Sequence, residues 1–368
     1  MFFRKIVLLA LGALWFALAE SATAQVNAVN IDPAAPPARM ISEYNLFKDP
    51  ARQIPNDGLL PYDLNTPLYS DYANKHRFVW MPEGARAEYH ETNVFSFPVG
   101  TVLVKTFSFL HDIRDPAKGE RLIETRLLIH KPEGWVGFGY IWNEDASDAR
   151  LAVAGGRADV SWIHYDGRER KLDRYIIPNM NECKQCHEIG GKLQPIGPKA
   201  RHLNKDFAYG GTLQNQLARW VETGYLDGAP DPEIAPRVPD AEDPTAGTLN
   251  QRARAYLDIN CAHCHNPAGP AHMSGLDLSY DQLDAAKYGV FKAPIAAGRG
   301  SGGHQFGIEP GHPETSILMH RMESTEPGVM MPPLPKRMNH DEGNALLREW
   351  IAEMQARVTA GNTVELVE

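Results

Sequence analysis

Two stretches of this 368-residue chain repeat one spacing of reactive side chains. Residues 181–189 read NECKQCHEI and residues 259–267 read INCAHCHNP. In each, two cysteines stand three apart and a histidine follows the second. Together they use all four cysteines of the chain. Four thiols so arranged admit three chemistries. In an oxidising compartment they would form two disulfides. Paired C-x-x-C units also build tetrahedral zinc sites. C-x-x-C-H is, in addition, the attachment site of a c-type haem. Only the last employs the histidines: two thiols add across the two porphyrin vinyl groups, and the next residue becomes the proximal iron ligand. The expectation is therefore two covalently attached haem c groups. Cys183 and Cys186 would hold one with His187 on its iron, and Cys261 and Cys264 the other with His265.

Local pattern places the second motif between two helices. Residues 250–260 put Ala253, Tyr256 and Leu257 on one side. Residues 341–355 put Leu346, Leu347, Trp350, Ile351 and Met354 at helical spacing, with Asp341 or His340 near the start. A helix leading into C-x-x-C-H and an amphipathic last helix packed against it resembles the class I cytochrome c family. That resemblance implies a methionine as sixth iron ligand, from a proline-bounded loop before the last helix. The loop here is Gly328-Val329-Met330-Met331-Pro332-Pro333-Leu334. The family pattern sets proline directly after the ligand and so indicates Met331, with Met330 as runner-up; both could instead fill the core. The proximal imidazole needs its other ring N–H fixed, and the Pro267 and Pro270 carbonyls lie in the right stretch. Arg299, in a glycine-rich loop that lacks the Lys-Ser/Thr ending of a phosphate loop, could pair with a haem propionate or be an ordinary surface arginine.

The first motif has less around it. Between Glu188 and Asn250 there is no methionine, and the only histidine is His202. Either His202 is the sixth ligand, or a residue from elsewhere reaches in, or the iron is five-coordinate and open to small molecules; a surface histidine beside Arg201 and Lys205 is the bland alternative. An amphipathic stretch follows, with Leu213, Leu217, Trp220 and Val221 on one face.

Residues 90–178 read as short strands with turns: Val, Phe and Thr are dense over 94–109, residues 121–129 alternate, Lys131-Pro132-Glu133-Gly134 turns the chain, and Asp166-Gly167 is a hairpin signal. His76, His90, His111, His130 and His164 lie in the β-rich domain, residues 41–178, without ligand spacing. At the start, Arg4 and Lys5 precede 14 uncharged residues, and Ala22-Thr23-Ala24 offers a cleavage site before Gln25. That pattern is a secretory signal peptide; with Glu20 ending the run it is short for a spanning helix, which needs about 20 apolar residues. The net charge of −9 with no basic stripe argues against a nucleic-acid partner, and no later segment is long and apolar enough to span a bilayer.

Over most of its length the chain is similar to a group of exported bacterial dihaem c-type cytochromes. That resemblance includes residues 60–68 (LPYDLNTPL), 119–126 (GERLIETR) and 196–201 (IGPKAR); residues 273–278 (MSGLDL) and 310–318 (PGHPETSIL) resemble segments of bacterial cytochrome-like modules, a similarity covering roughly residues 250–355. The expected fold is α+β and multidomain: an N-terminal antiparallel β-sandwich-like domain followed by mainly α-helical cytochrome c-like haem modules. The expected division is a signal peptide at 1–24, a flexible lead-in at 25–40, a β-rich domain at 41–178, a first haem module at 179–245, a class I-like domain at 246–358 and a tail at 359–368. The function expected is periplasmic single-electron carriage between redox proteins. The alternatives are a peroxidase-like oxidoreductase, with an open first haem and the second as relay, and a sensing module.

Overall fold

In the computed structural model, residues 28–295, 297–334, 336–358 and 364–367 are described. The expected signal peptide, the first residues of the lead-in and most of the tail lie outside them.

A six-stranded antiparallel meander organises the N-terminal half: β1 (Leu60–Tyr62), β2 (Asn74–Trp80), β3 (Val102–Leu110), β4 (Glu120–Lys131), β5 (Gly134–Trp142) and β6 (Ala149–Leu151) pair in chain order. The sequence favours this pairing. VLVKTFSFL in β3 is rich in β-branched and aromatic residues, and Pro132-Glu133 closes a two-residue turn in which Lys131 pairs with Gly134. Phe78, Val104, Leu127, Phe138 and Tyr140 pack against Ile41, Tyr44 and Leu46 from the preceding segment. A hairpin, β7 (Gly156–Ile163) and β8 (Glu169–Ile177), packs through Val160, Trp162, Leu172 and Tyr175 on Phe107 and Phe109. The β-rich region is thus one sheet with a hairpin against it, not two facing sheets.

The expected mainly helical haem modules are not found. Among the described residues strands outweigh helix, 29% to 20%, and no helical cytochrome c-like module is evident. Six α-helices occur: α1 (Lys184–His187), α2 (Ala200–Leu203), α3 (Gln216–Glu222), α4 (Leu249–Leu257), α5 (Ile317–Met322) and α6 (Asp341–Glu353). Composition explains their shortness. Gly210-Gly211 turns residues 206–215 into a hairpin. The 263–316 stretch carries glycine at 269, 275, 289, 298, 300, 302, 303, 307 and 311, and each glycine weakens helix by about 1 kcal/mol relative to alanine. Of the four residues expected on the apolar face of α3, Leu217 and Trp220 are buried, whereas Leu213 and Val221 are 68% and 46% exposed; the helix starts after Leu213, with Asn215 capping the amides of Leu217 and Ala218.

Two helices form as expected in place. Thr248 and Gln251 make a reciprocal capping box at the start of α4, and α6 begins with Asp341 and Glu342, which suit its positive end. They pack through Tyr256, Leu257, Leu346, Leu347, Trp350 and Ile351. Gly343 permits the approach: a Cβ there would stand 2.5 Å from the Tyr256 hydroxyl oxygen. A further core joins Leu60, Tyr62, Val79 and Leu103 of the sheet region to Leu203, Leu217, Trp220 and Ile259. It crosses every boundary expected between 178 and 246 and fixes the motif-bearing segments to the sheet.

Leu127, fully buried in a central strand, should report the sheet's integrity. Leu127→Ala is expected to cost about 2–5 kcal/mol, read as a lowered urea midpoint with an unchanged slope.

Candidate functional site

Both cysteine motifs begin at a turn of helix. Cys183 precedes α1, which contains Cys186 and His187, and the His187 amide donates to the Cys183 carbonyl at 3.0 Å. Cys261 closes a wide helical turn that continues α4, and the His265 amide donates to the Cys261 carbonyl at 2.9 Å. Each turn sets two thiols and an imidazole on one short arc. None of the four cysteines is disulfide-bonded.

The imidazoles are held alike. Nδ1 of His187 lies 2.8 Å from the Gln194 carbonyl oxygen. A carbonyl only accepts, so Nδ1 carries the proton and Nε2 the lone pair. Nδ1 of His265 lies 3.0 Å from Oγ of Ser274, whose own hydrogen is given to the Ala271 carbonyl at 2.7 Å. Ser274 therefore accepts from His265, and again Nε2 is left with the lone pair. The fixing groups are Gln194 and Ser274, not the carbonyls of Pro267 or Pro270. Burial pushes both imidazoles down to about 4, which keeps them neutral.

The two motifs share one cavity of about 1690 Å³ including its mouth, walled by Cys183, Cys186, His187, Cys261, His263 and Met331. Its floor is a face of the sheet. In register across that face run Val79, Leu103, Leu128 and Gly137, and beside them Arg77, Lys105, Arg126 and Gly139. Gly137 lets the first motif sit against the floor: a Cβ there would stand 3.2 Å from Sγ of Cys183. His265 does not line the cavity.

At the junction, Sγ of Cys186, Sγ of Cys264 and a ring nitrogen of His263 lie within 4.8 Å of one another. The Cys264 thiol and His263 hold the Cys186 thiol below its ordinary value, while Cys264 is pushed up by the same contact. Burial raises Cys183, and raises Cys261 to about 12. This is the only such cluster among the described residues, and it supplies three ligands where a closed structural zinc site takes four. The scattered histidines of the β-rich region form none; Nε2 of His76, for example, pairs with Glu120 at 2.7 Å.

The candidate sixth ligands part company. Met331 lines the cavity, whereas Met330 is buried away from it. The Met331 loop is pinned by its amide on the Arg321 carbonyl at 3.0 Å and by Lys336 on the carbonyls of Met322, Ser324 and Met331. His202 is elsewhere. It is fully buried outside the cavity walls, with Nε2 at 2.6 Å from Asp258. Asp258 also takes Arg201 at 3.0 Å through both oxygens, and Arg201 reaches Asp281. An ion network needed the imidazole, so an iron ligand type in the right window served another end. Arg299 pairs with Glu326 at 3.0 Å on the surface.

Sequence reading missed His263, Ser274, Gln194, Gly137 and the cation row. His263 stood inside the second motif as its variable residue, and pairing register alone reveals the row.

No family model, curated protein or solved structure matches this chain.

Burial is the largest single effect on the Asp258 carboxyl and raises it, but Lys199, His202 and Arg201 together outweigh it and hold the group well below the ordinary carboxylate range. A depressed carboxyl contributes stability above its unfolded value of about 3.9, lost as pH falls through the folded value. Asp258→Ala should cost about 3–5 kcal/mol at neutral pH, and the gap between variant and wild type in denaturant titrations should narrow as pH drops below about 4.

Proposed function

We propose that this chain is a c-type dihaem cytochrome of the exported bacterial kind, carrying single electrons between redox proteins of the periplasm. The observation that carries the proposal is the matched state of the two imidazoles. Each follows a free C-x-x-C pair, donates from Nδ1, and keeps Nε2 as an acceptor. Metal-bound histidines are held in this way, with the other ring N–H fixed by a carbonyl or hydroxyl oxygen.

Cys183, Cys186, His187, Cys261 and Met331 line one cavity and fit such a group there; Cys264 and His265 stand outside its walls. Cys183 and Cys186 would bind one haem c through thioethers, with His187 on its iron. Cys261 and Cys264 would bind the other, with His265 on its iron and Met331 as the thioether ligand from the cavity wall. When bound, each haem supplies a one-electron iron couple. The chain's own part is to keep both imidazoles neutral and oriented, to cover the groups with the apolar sheet face, and to bring the second cysteine of each motif within 4.8 Å of the other. That closeness favours electron passage between the two groups. Covalent attachment suits an exported carrier, which cannot then lose its cofactor.

A second reading is an oxidoreductase with an open coordination position at the first haem. One observation favours it: His202, the expected sixth ligand there, is committed to Asp258.

Expression with a cytochrome maturation system is expected to give two haems per chain by pyridine haemochrome, and a mass increase of two porphyrins that survives denaturation. Cys183→Ala/Cys186→Ala should retain one. Colourless wild-type protein with free thiols would contradict the proposal. Carbon monoxide then separates the two readings: an unchanged reduced spectrum supports the carrier, and a shifted Soret band at one haem supports the open site.

A further inference from the structure

The cavity floor has a charge pattern of its own. Register sets Arg77 of β2 opposite Lys105 of β3, and Lys105 opposite Arg126 of β4. Three cations therefore stand on one sheet face at strand spacings of about 4.8 Å, and all three line the cavity. Like charges directly opposite one another destabilise a sheet, so the arrangement calls for anions. The protein supplies only some. Glu124 takes Arg126 through two contacts, at 2.6 and 2.9 Å. Asp63 takes Nη1 of Arg77 at 2.6 Å. Nη2 of Arg77 is left buried without a hydrogen-bond partner, on a side chain only 5% exposed in its residue as a whole. Among the described residues, Lys105 forms no ion pair; its ammonium lies 4.9 Å from the Phe107 ring.

The position of the row is also informative. Gly137, on which Cys183 rests, is two residues from Gly139, the row's continuation on β5. Two residues of strand span about 7 Å, and Lys105 lies two strands farther across, about 10 Å. The row stands close to the first motif: Arg126 acts electrostatically on Cys183, and Lys105 on Cys186 and His187, so a group tethered there and lying on this floor shares the cavity with the row. A porphyrin held by its vinyl edge carries two propionates at the opposite edge.

We propose that Arg77 and Lys105, supported by Arg126, form the carboxylate site for the propionates of the haem attached at Cys183 and Cys186. This rests on the dihaem reading. Arginine contributes a fork of N–H donors and lysine a point charge. A carboxylate buried in an otherwise apolar cavity needs such partners. The surface Arg299 is not one of them, being paired with Glu326.

The test is Lys105→Gln in the matured full-length protein, beside Lys105→Arg, which keeps the charge. Haem count by pyridine haemochrome is read first. Wild type lacking haem overturns the dihaem reading itself, which keeps that failure separate. With two haems attached, Lys105→Gln is expected to shift the oxidised-to-reduced ratio of one haem at least tenfold toward oxidised at fixed ambient potential. That is about 59 mV for one electron; a lost cation no longer offsets the charge of the reduced group. The propionate bending mode in resonance Raman should move in the same variant, and Lys105→Arg should restore both. Unchanged potentials and an unchanged Raman mode would overturn the proposal. So would conversion of one haem to high spin in Lys105→Gln, which would make Lys105 an iron ligand. If Lys105→Gln fails to accumulate, Arg77→Lys, which removes the unpartnered fork but keeps the charge, is read by the same Raman mode, with a shift expected and no shift contradicting the site.

Discussion

Two hydrogen bonds set the chemical character of this protein: Nδ1 of His187 to the Gln194 carbonyl, and Nδ1 of His265 to the Ser274 hydroxyl. Each fixes which ring nitrogen keeps a lone pair, and each imidazole adjoins two free thiols. Had Nδ1 faced a donor instead, the same motif would present an N–H from Nε2, where a metal ligand would need a lone pair. Burial acts in the same direction by keeping both rings neutral. The thiol pairs give attachment, but the tautomers decide whether an attached metal group could be ligated.

The remaining structure keeps these two units facing each other. Asp258, at the start of the wide turn that carries Cys261, holds Arg201 and His202 from the first motif's segment. That network is almost wholly buried, so removing one partner strands the others in low dielectric. The sheet contributes a rigid floor, and glycine at 137 leaves space for Cys183 to lie on it. The result is one cavity walled by both motifs rather than two separate pockets.

How far the sequence carried the interpretation depended on the range of each interaction. The thiol and imidazole groups are encoded within five residues, so their grouping was legible at once. The starts of α4 and α6 were legible because capping and helical periodicity are local. The meander was visible as short strands and turns, but its closing into a single sheet depends on long-range pairing. The helical modules were expected on likeness to class I cytochromes and are not there, because glycine and proline between residues 263 and 316 break that stretch into turns. His202 misled for a related reason. Its residue type and window suited an iron ligand, and only tertiary structure reveals Asp258 beside it. The row Arg77, Lys105, Arg126 was invisible, since its members lie 21 to 49 positions apart and meet only through strand register.

Two haem c groups attached as proposed would have their attachment edges adjoining at Cys186 and Cys264. Electron paramagnetic resonance of the fully oxidised, matured protein tests it most directly. The expected spectra are broadened by interaction between two ferric centres and sharpen to those of a single centre when Cys261→Ala/Cys264→Ala removes one. Two sharp, independent ferric signals in the wild type, equal to the sum of the single-haem variants, would contradict it.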